Sequence, residues 1–136
     1  MTDAHAVIEQ HIEAFNNRTP DKEPWASDAE LVAPGGTFTG RDGVLAFLSV
    51  FQQAFSDGKL IVNTSVTDGA NASVEGVFEG LHDGPLESPS GPVEATGKRI
   101  SFRWSATYVV NGSELLSEHL YFDQLDFLTQ LGVLSG

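Results

Sequence analysis

The chain contains no cysteine. That one absence removes disulfides, thiolate nucleophiles and Cys-based zinc sites together. Basic residues are scarce as well: seven Lys and Arg stand against nineteen Asp and Glu, a formal net charge of −12. A field of that sign repels nucleic acid and anionic membrane, so neither is expected as a partner. The acidic residues are scattered rather than blocked, the pattern of a solvated surface. No apolar run approaches the ~18 residues that span a bilayer. The segment Met1-Thr2-Asp3-Ala4-His5 also lacks the basic start and apolar centre of a secretory signal. A soluble, cytoplasmic protein is expected. The histidines, His5, His11, His82 and His119, form no His-x-x-x-His pair, and Glu118-His119 has no third ligand at metal-binding spacing. No metal is therefore expected. Gly35-Gly36 lacks the Lys-Ser/Thr of a phosphate-binding loop, and no Ser-His-Asp set for acyl transfer is evident.

What is present is enough for one core. The 136 residues are the size of one ordinary domain, taken here as 1–136, and nine Phe and two Trp supply apolar surface that a disordered chain lacks. Ala4, Val7, Ile8, His11, Ile12 and Phe15 recur along one face of a 3.6-residue period, which predicts an amphipathic helix. Thr2 or Asp3 can cap it, and Asn16-Asn17 with Pro20 ends it. His11 falls on the buried stripe, where a histidine is more often a satisfied core residue than a ligand. Pro20, Pro24, Pro34 and Gly35-Gly36 break up residues 20–40, leaving a short helical turn near Trp25 and a short strand at 30–33. Val44, Leu45, Phe47, Leu48, Phe51 and Phe55 then repeat the helical pattern, and Gly58 stops it.

After residue 58 the period changes to two. Segments 59–67, 73–82, 99–110 and 114–122 are rich in β-branched and aromatic residues. Asp68-Gly69 and Asn111-Gly112 are the strongest turn signals between them. The stretch from His82 to Gly97, with three prolines and three glycines, reads as a long loop of the kind that rims a pocket. A short helix near Gln124–Leu131 closes the pattern. Helices first and strands later predict an α+β fold, an antiparallel sheet with helices on one face and a cleft between the layers.

Four segments, in order, carry a resemblance. Ala33-Pro34-Gly35-Gly36 through Gly40-Arg41-Asp42-Gly43 resembles the Pro-Gly-Gly…Gly-Arg stretch of the SnoaL-like polyketide cyclases. Gly80-Leu81-His82-Asp83-Gly84 is similar to their Gly-x-His-x-Gly strand end. Thr96-Gly97-Lys98 through Phe102 is similar to their Thr-Gly-Lys/Arg-x-x-x-Phe segment. Glu118 to Asp123 with Gln130-Leu131-Gly132 looks like their closing strand, acidic residue and Gln-Leu-Gly helix. The resemblance implies the nuclear transport factor 2-like fold: a curved antiparallel sheet wrapped by helices into a cone with an internal pocket. It also implies an intramolecular aldol closure on a polyketide-like ligand, with an Asp as acid/base and no metal or organic cofactor, and a homodimer.

The Asp that matches is Asp123. A carboxylate suits this task when burial raises its pKa toward the operating pH. The same residue precedes Gln124-Leu125-Asp126-Phe127, so it is also a natural helix N-cap, with Phe122 and Phe127 placed as a hydrophobic staple. Capping lowers a carboxylate's pKa, so the two roles pull in opposite directions. His82, at a strand end beside the long loop, is a candidate to polarise a substrate carbonyl or orient Asp123. His119 and Tyr121 share the parity of Asp123 and are candidate ligand contacts if that face lines the pocket; a bulge would redirect it. Ile100, Phe102, Trp104 and Tyr108 alternate on an apolar face, with Phe102 and Trp104 taken as pocket lining. A cyclase or isomerase acting on an apolar, carbonyl-bearing small molecule is the first reading, and a non-catalytic binding domain of the same fold is the alternative. An epoxide hydrolase site would need Arg103 and Asp123 on one face, which their parity opposes.

Overall fold

Period-two patterning dominates the second half of the chain, and in the structure it becomes the body of one six-stranded sheet. The computed structural model describes residues 3–133. In chain order these form α1 (Ala4–Asn17), a 3₁₀ turn (Pro20–Lys22), β1 (Trp25–Ala33), β2 (Gly36–Thr39), α2 (Gly40–Ala54), β3 (Lys59–Asp68), β4 (Asn71–Leu81), β5 (Arg99–Asn111), β6 (Glu114–Phe122) and α3 (Gln124–Leu131). The strands lie in the order β2-β1-β6-β5-β4-β3. Asp3 caps α1 by accepting from the Ala6 amide at 3.1 Å; Thr2, the other candidate, lies outside the described residues.

The sheet is mixed rather than wholly antiparallel, because β1 runs parallel to β6. Alternation reports which face a residue occupies but not the direction of a strand's neighbour. β1 and β6 are joined through most of the chain, so no hairpin forces them antiparallel. Trp25, expected in a helical turn, instead opens β1; the turn lies earlier, with Pro20 in its first position, where a missing N–H costs least. Both tight hairpins are displaced by one residue from the turn signals. Asp68 pairs with Asn71 and Asn111 with Glu114, so the loops are Gly69-Ala70 and Gly112-Ser113. Only the first residue of each loop has positive φ, 61° at Gly69 and 62° at Gly112, a conformation that favours glycine.

All three helices pack on the same face of the sheet. Phe15 of α1 and Phe51 of α2 both meet Phe78 of β4, at ring-centroid distances of 6.3 and 5.8 Å, and Phe127 of α3 meets Phe102 of β5 at 5.1 Å. Edge and tilted contacts link all nine phenylalanines into one continuous network. Fully burying such a side chain, as at Phe15, Phe55, Phe78, Phe102 and Phe127, contributes about 1.5–3 kcal/mol, and offset or edge contacts add to it. On β5, Ile100, Phe102, Trp104, Ala106, Tyr108 and Val110 are buried and their odd-numbered neighbours face outward.

The family-like segments act as stitches in this frame. Arg41, in the first turn of α2, donates to the carbonyls of Pro20, Glu23 and Trp25 at 2.9, 2.6 and 3.1 Å. Gln130 of α3 pairs with the backbone N–H and C=O of Ser101 at 2.9 and 2.8 Å, completing β5 beyond the end of β6. No helix among the described residues is long and apolar enough to cross a membrane.

Candidate functional site

Between the inner face of the sheet and helices α1 and α2 lies a narrow cavity of about 40 Å³. Its deep walls are the buried side chains of Phe15, Leu48, Phe78, Phe102, Trp104 and Tyr108, and its half-buried mouth is Phe47, Phe51, Leu60, Leu120 and Phe122. A ring-bearing ligand has to spread these mouth side chains, which lie at a partly exposed edge where rotamer changes are cheapest.

Two polar residues, His11 from α1 and Glu118 from β6, complete the lining. Glu118 faces Tyr108 directly across the β5–β6 ladder, and the two side chains are hydrogen-bonded. On its other side, His11 Nε2 stands 3.7 Å from Glu118 Oε1. His11 in turn is fixed by Glu23: its Nδ1 lies 2.6 Å from Glu23 Oε1, which also accepts from Trp25 Nε1 at 3.1 Å. Arg41 steadies the Glu23 backbone from behind. The result is a buried chain Glu23–His11–Glu118–Tyr108, all of it below the surface.

Burial sets the electrostatics. Loss of hydration pushes the Glu118 carboxyl up to about 7, against the opposing pull of His11 and Tyr108, with Glu23 adding to the rise. At His11 burial works to lower the pKa, but the charge and hydrogen bond of Glu23, helped by Glu118, raise it above its ordinary value. The Tyr108 phenol is raised well above its usual range, by burial first and then by Glu118. Glu118 can thus take up or release a proton near neutrality inside an apolar space, the property a general acid/base requires.

The residues expected from sequence fall into separate places. Phe102 and Trp104 line the cavity. Asp123 is exposed and caps α3, accepting from the Asp126 amide at 3.0 Å, and it is not among the lining residues. Phe122 and Phe127 flank it as the staple, with ring centroids 6.2 Å apart. His119 and Tyr121 point outward, Tyr121 being 60% exposed. The cause is one extra residue: the ladder slips between Val109 and Val110, so that Leu115 pairs with Val110 but Ser117 with Val109. That bulge brings Glu118, Leu120 and Phe122 to the inner face and sends His119 and Tyr121 to the outer one.

His82 is buried at the root of the 82–97 loop. Its Nδ1 accepts from the Thr96 amide at 3.1 Å and lies 2.9 Å from Thr96 Oγ1, and its ring packs 5.3 Å from Phe55. Burial lowers its pKa, which keeps the acceptor free for Thr96. His82 therefore ties two of the family-like segments together and does not line the cavity.

Sequence reasoning missed Glu118 and Glu23 as site residues and placed His11 and Tyr108 in the core. One signal was available: His11 interrupts an otherwise apolar helical stripe, and a buried imidazole needs a buried partner. Among the described residues no group of three His, Asp or Glu side chains could hold a metal ion.

Comparison with known proteins follows this geometry. The family model of the SnoaL-like polyketide cyclases matches residues 5–131. Among solved structures, IdmH from Streptomyces antibioticus is 25% identical with a TM-score of 0.81, covering 97% of this chain and 100% of its own. TsrD from Streptomyces laurentii is 20% identical with a TM-score of 0.83, covering 98% and 100%. AclR from Streptomyces galilaeus is 16% identical with a TM-score of 0.80, covering 98% and 87%. Among curated proteins no sequence matches.

Proposed function

The chain belongs to the SnoaL-like polyketide cyclase family, and on that premise we propose that it is a cofactor-free cyclase or isomerase that moves a proton beside a carbonyl of an apolar, polyketide-like small molecule. The observation that carries this reading is the Glu118 carboxyl, buried in an aromatic cavity, with its ionisation pushed to about 7. In its ionised form Glu118 takes a proton from the carbon next to the ligand's carbonyl. The electron pair spreads onto that carbonyl, so the ligand supplies its own electron sink. In an isomerisation Glu118 returns the proton to carbon. In an aldol closure the new carbon–carbon bond forms first and Glu118 returns the proton to the alkoxide. His11, held by Glu23, and Tyr108 orient the carboxyl, and the phenylalanine walls exclude water.

The test is deuterium exchange at the carbon next to the carbonyl of 1-tetralone, a small bicyclic aryl ketone, followed by NMR in D₂O. The protein should accelerate this exchange, with a rate that rises with pH through about 7. Glu118→Gln should abolish the acceleration, and exchange unchanged in that variant would defeat the reading. The assignment of Asp123 as acid/base remains the rival, and Asp123→Asn should leave the exchange intact if Glu118 is the active carboxyl.

One observation favours a second reading, a binding domain without turnover: Asp123 is used as a cap. That reading expects saturable binding of 1-tetralone with no accelerated exchange. Separately, the outer sheet face carries Ile61, Val66, Val109 and Tyr121 exposed. We expect a second copy to cover it, so sedimentation should give twice the monomer mass.

A further inference from the structure

The two tryptophans of the chain use their indole N–H groups differently. Trp25 donates to Glu23 at 3.1 Å. Trp104 is 4% exposed, lines the cavity, and its Nε1 is buried without any acceptor among the described residues. Buried N–H groups are almost always paired, so an orphan donor on a residue of the cavity wall calls for an acceptor, and a ligand in the cavity is one that could supply it.

The indole is held in position by its neighbours. Gly76 of β4 lies directly across the ladder from Trp104, with Phe122 of β6 on the other side. A Cβ at Gly76 would stand 2.9 Å from Trp104 Cζ2, 3.0 Å from Cε2 and 2.1 Å from the Ile61 carbonyl oxygen. Glycine at this position is what lets the indole edge lie against β4. Glu118 Oε1, in the same cavity, is likewise without a hydrogen bond, its His11 neighbour being 3.7 Å away. Trp104 and Glu118, each with one buried polar atom lacking a partner, thus line the same apolar cavity.

We propose that Trp104 is the oxygen-recognising residue of the cavity: its indole N–H donates to the carbonyl or enolate oxygen of a flat, ring-bearing ketone whose neighbouring carbon faces Glu118. The inference rests on the reading of the cavity as a proton-transfer site. It narrows the ligand class to molecules with a hydrogen-bond acceptor on a planar, largely apolar frame. Trp104 is then a positioning and specificity residue, stabilising negative charge as it develops on the oxygen.

The test compares 1-tetralone with tetralin, which has the same carbon frame without the carbonyl. The full chain, labelled with ¹⁵N, gives two indole N–H signals, assigned by Trp104→Phe or, should that variant not fold, by Trp25→Phe. The expected result is a saturable downfield shift of the Trp104 signal with 1-tetralone and none with tetralin. The carbonyl stretch of bound 1-tetralone should fall on binding to the wild-type protein but not to Trp104→Phe. Affinity for 1-tetralone should drop about tenfold more than affinity for tetralin in that variant, the scale of one hydrogen bond beyond the apolar contact both compounds lose. A Trp104 signal that answers both compounds alike, or a carbonyl shift that survives Trp104→Phe, overturns the proposal while Glu118-dependent exchange still stands. If neither compound binds saturably, this proposal and the reading it rests on both fall. Exchange that persists in Glu118→Gln removes the parent reading alone, because the tetralone shift at Trp104 is measured without it.

Discussion

Glu118 lies inside β6 and Asp123 just past its end, and their environments are opposite. Glu118 lies opposite Tyr108 on the inner face, buried beside His11, with its ionisation pushed to about 7. Asp123 lies just past the end of β6, exposed, and spends its carboxylate on the Asp126 amide. Both are acidic residues beside a phenylalanine-rich wall, so composition does not separate them. What separates them is water: one carboxyl has lost its hydration to an apolar cavity, while the other keeps it and gains a backbone donor. A residue's place in a family-like motif and its burial are therefore different properties.

The comparison can be broken in several ways, the largest effect first. Glu118→Gln should slow the exchange of 1-tetralone by ~10²–10⁴-fold, the usual contribution of a positioned general base, with the near-UV spectrum of the folded protein retained. An equal loss in Asp123→Asn would reverse the assignment.

Stability should also depend on pH through Glu118. Its folded pKa, about 7, exceeds the ordinary 4.5, so the folded state binds the proton more tightly than the unfolded state. Its contribution to stability is therefore greatest below the ordinary value, falls as pH rises between the two, and levels off above the folded pKa. The raised pKa of His11 works in the same direction from 6.5 upward, and the lowered pKa of His82 works in the opposite direction below 6.5. The Glu118 contribution to the unfolding free energy, read from denaturant titrations, should fall across this window by on the order of 3 kcal/mol. That fall should be missing in Glu118→Gln, and the same pH profile in the variant and the wild-type protein would contradict the burial argument.

Asp123→Ala should cost ~0.5–2 kcal/mol through the lost cap, read as a lower melting temperature with exchange unaffected. The smallest effect belongs to Asp123→Asn, since Asn caps about as well as Asp and only the charge near the helix N-terminus is lost, ~0.3–1 kcal/mol. A large loss of stability there would mean that Asp123 does more than cap.

Much of this architecture was legible in the sequence because its signals are local. The stripe from Ala4 to Phe15 gave α1 with its Asp3 cap, and the alternation from Ile100 to Val110 gave the buried face of β5. The Phe122–Asp123–Phe127 pattern gave both the cap and the staple of α3. The His82 segment was legible as a strand end beside a loop, but its role depends on Thr96, a partner fourteen residues away in sequence. The cavity was less legible for the same reason. His11, Glu23, Tyr108 and Glu118 come from four separate stretches, and no spacing within any of them announces the others.

The sequence by itself determined the two helical faces, the period-two strands, the capped closing helix and the exclusion of cysteine chemistry, since each depends on residues within a few positions of one another. Only the tertiary structure decided the rest. It ran β1 parallel to β6, and it slipped the β5–β6 ladder by one residue, so that Glu118 turned inward and His119 and Tyr121 outward. The physical reason is that alternation assigns faces only while a strand stays regular, and nothing local announces where the ladder slips. A single inserted residue exchanges the two faces beyond it, and burial, with Glu23 adding to it, then pushes the Glu118 carboxyl up to about 7.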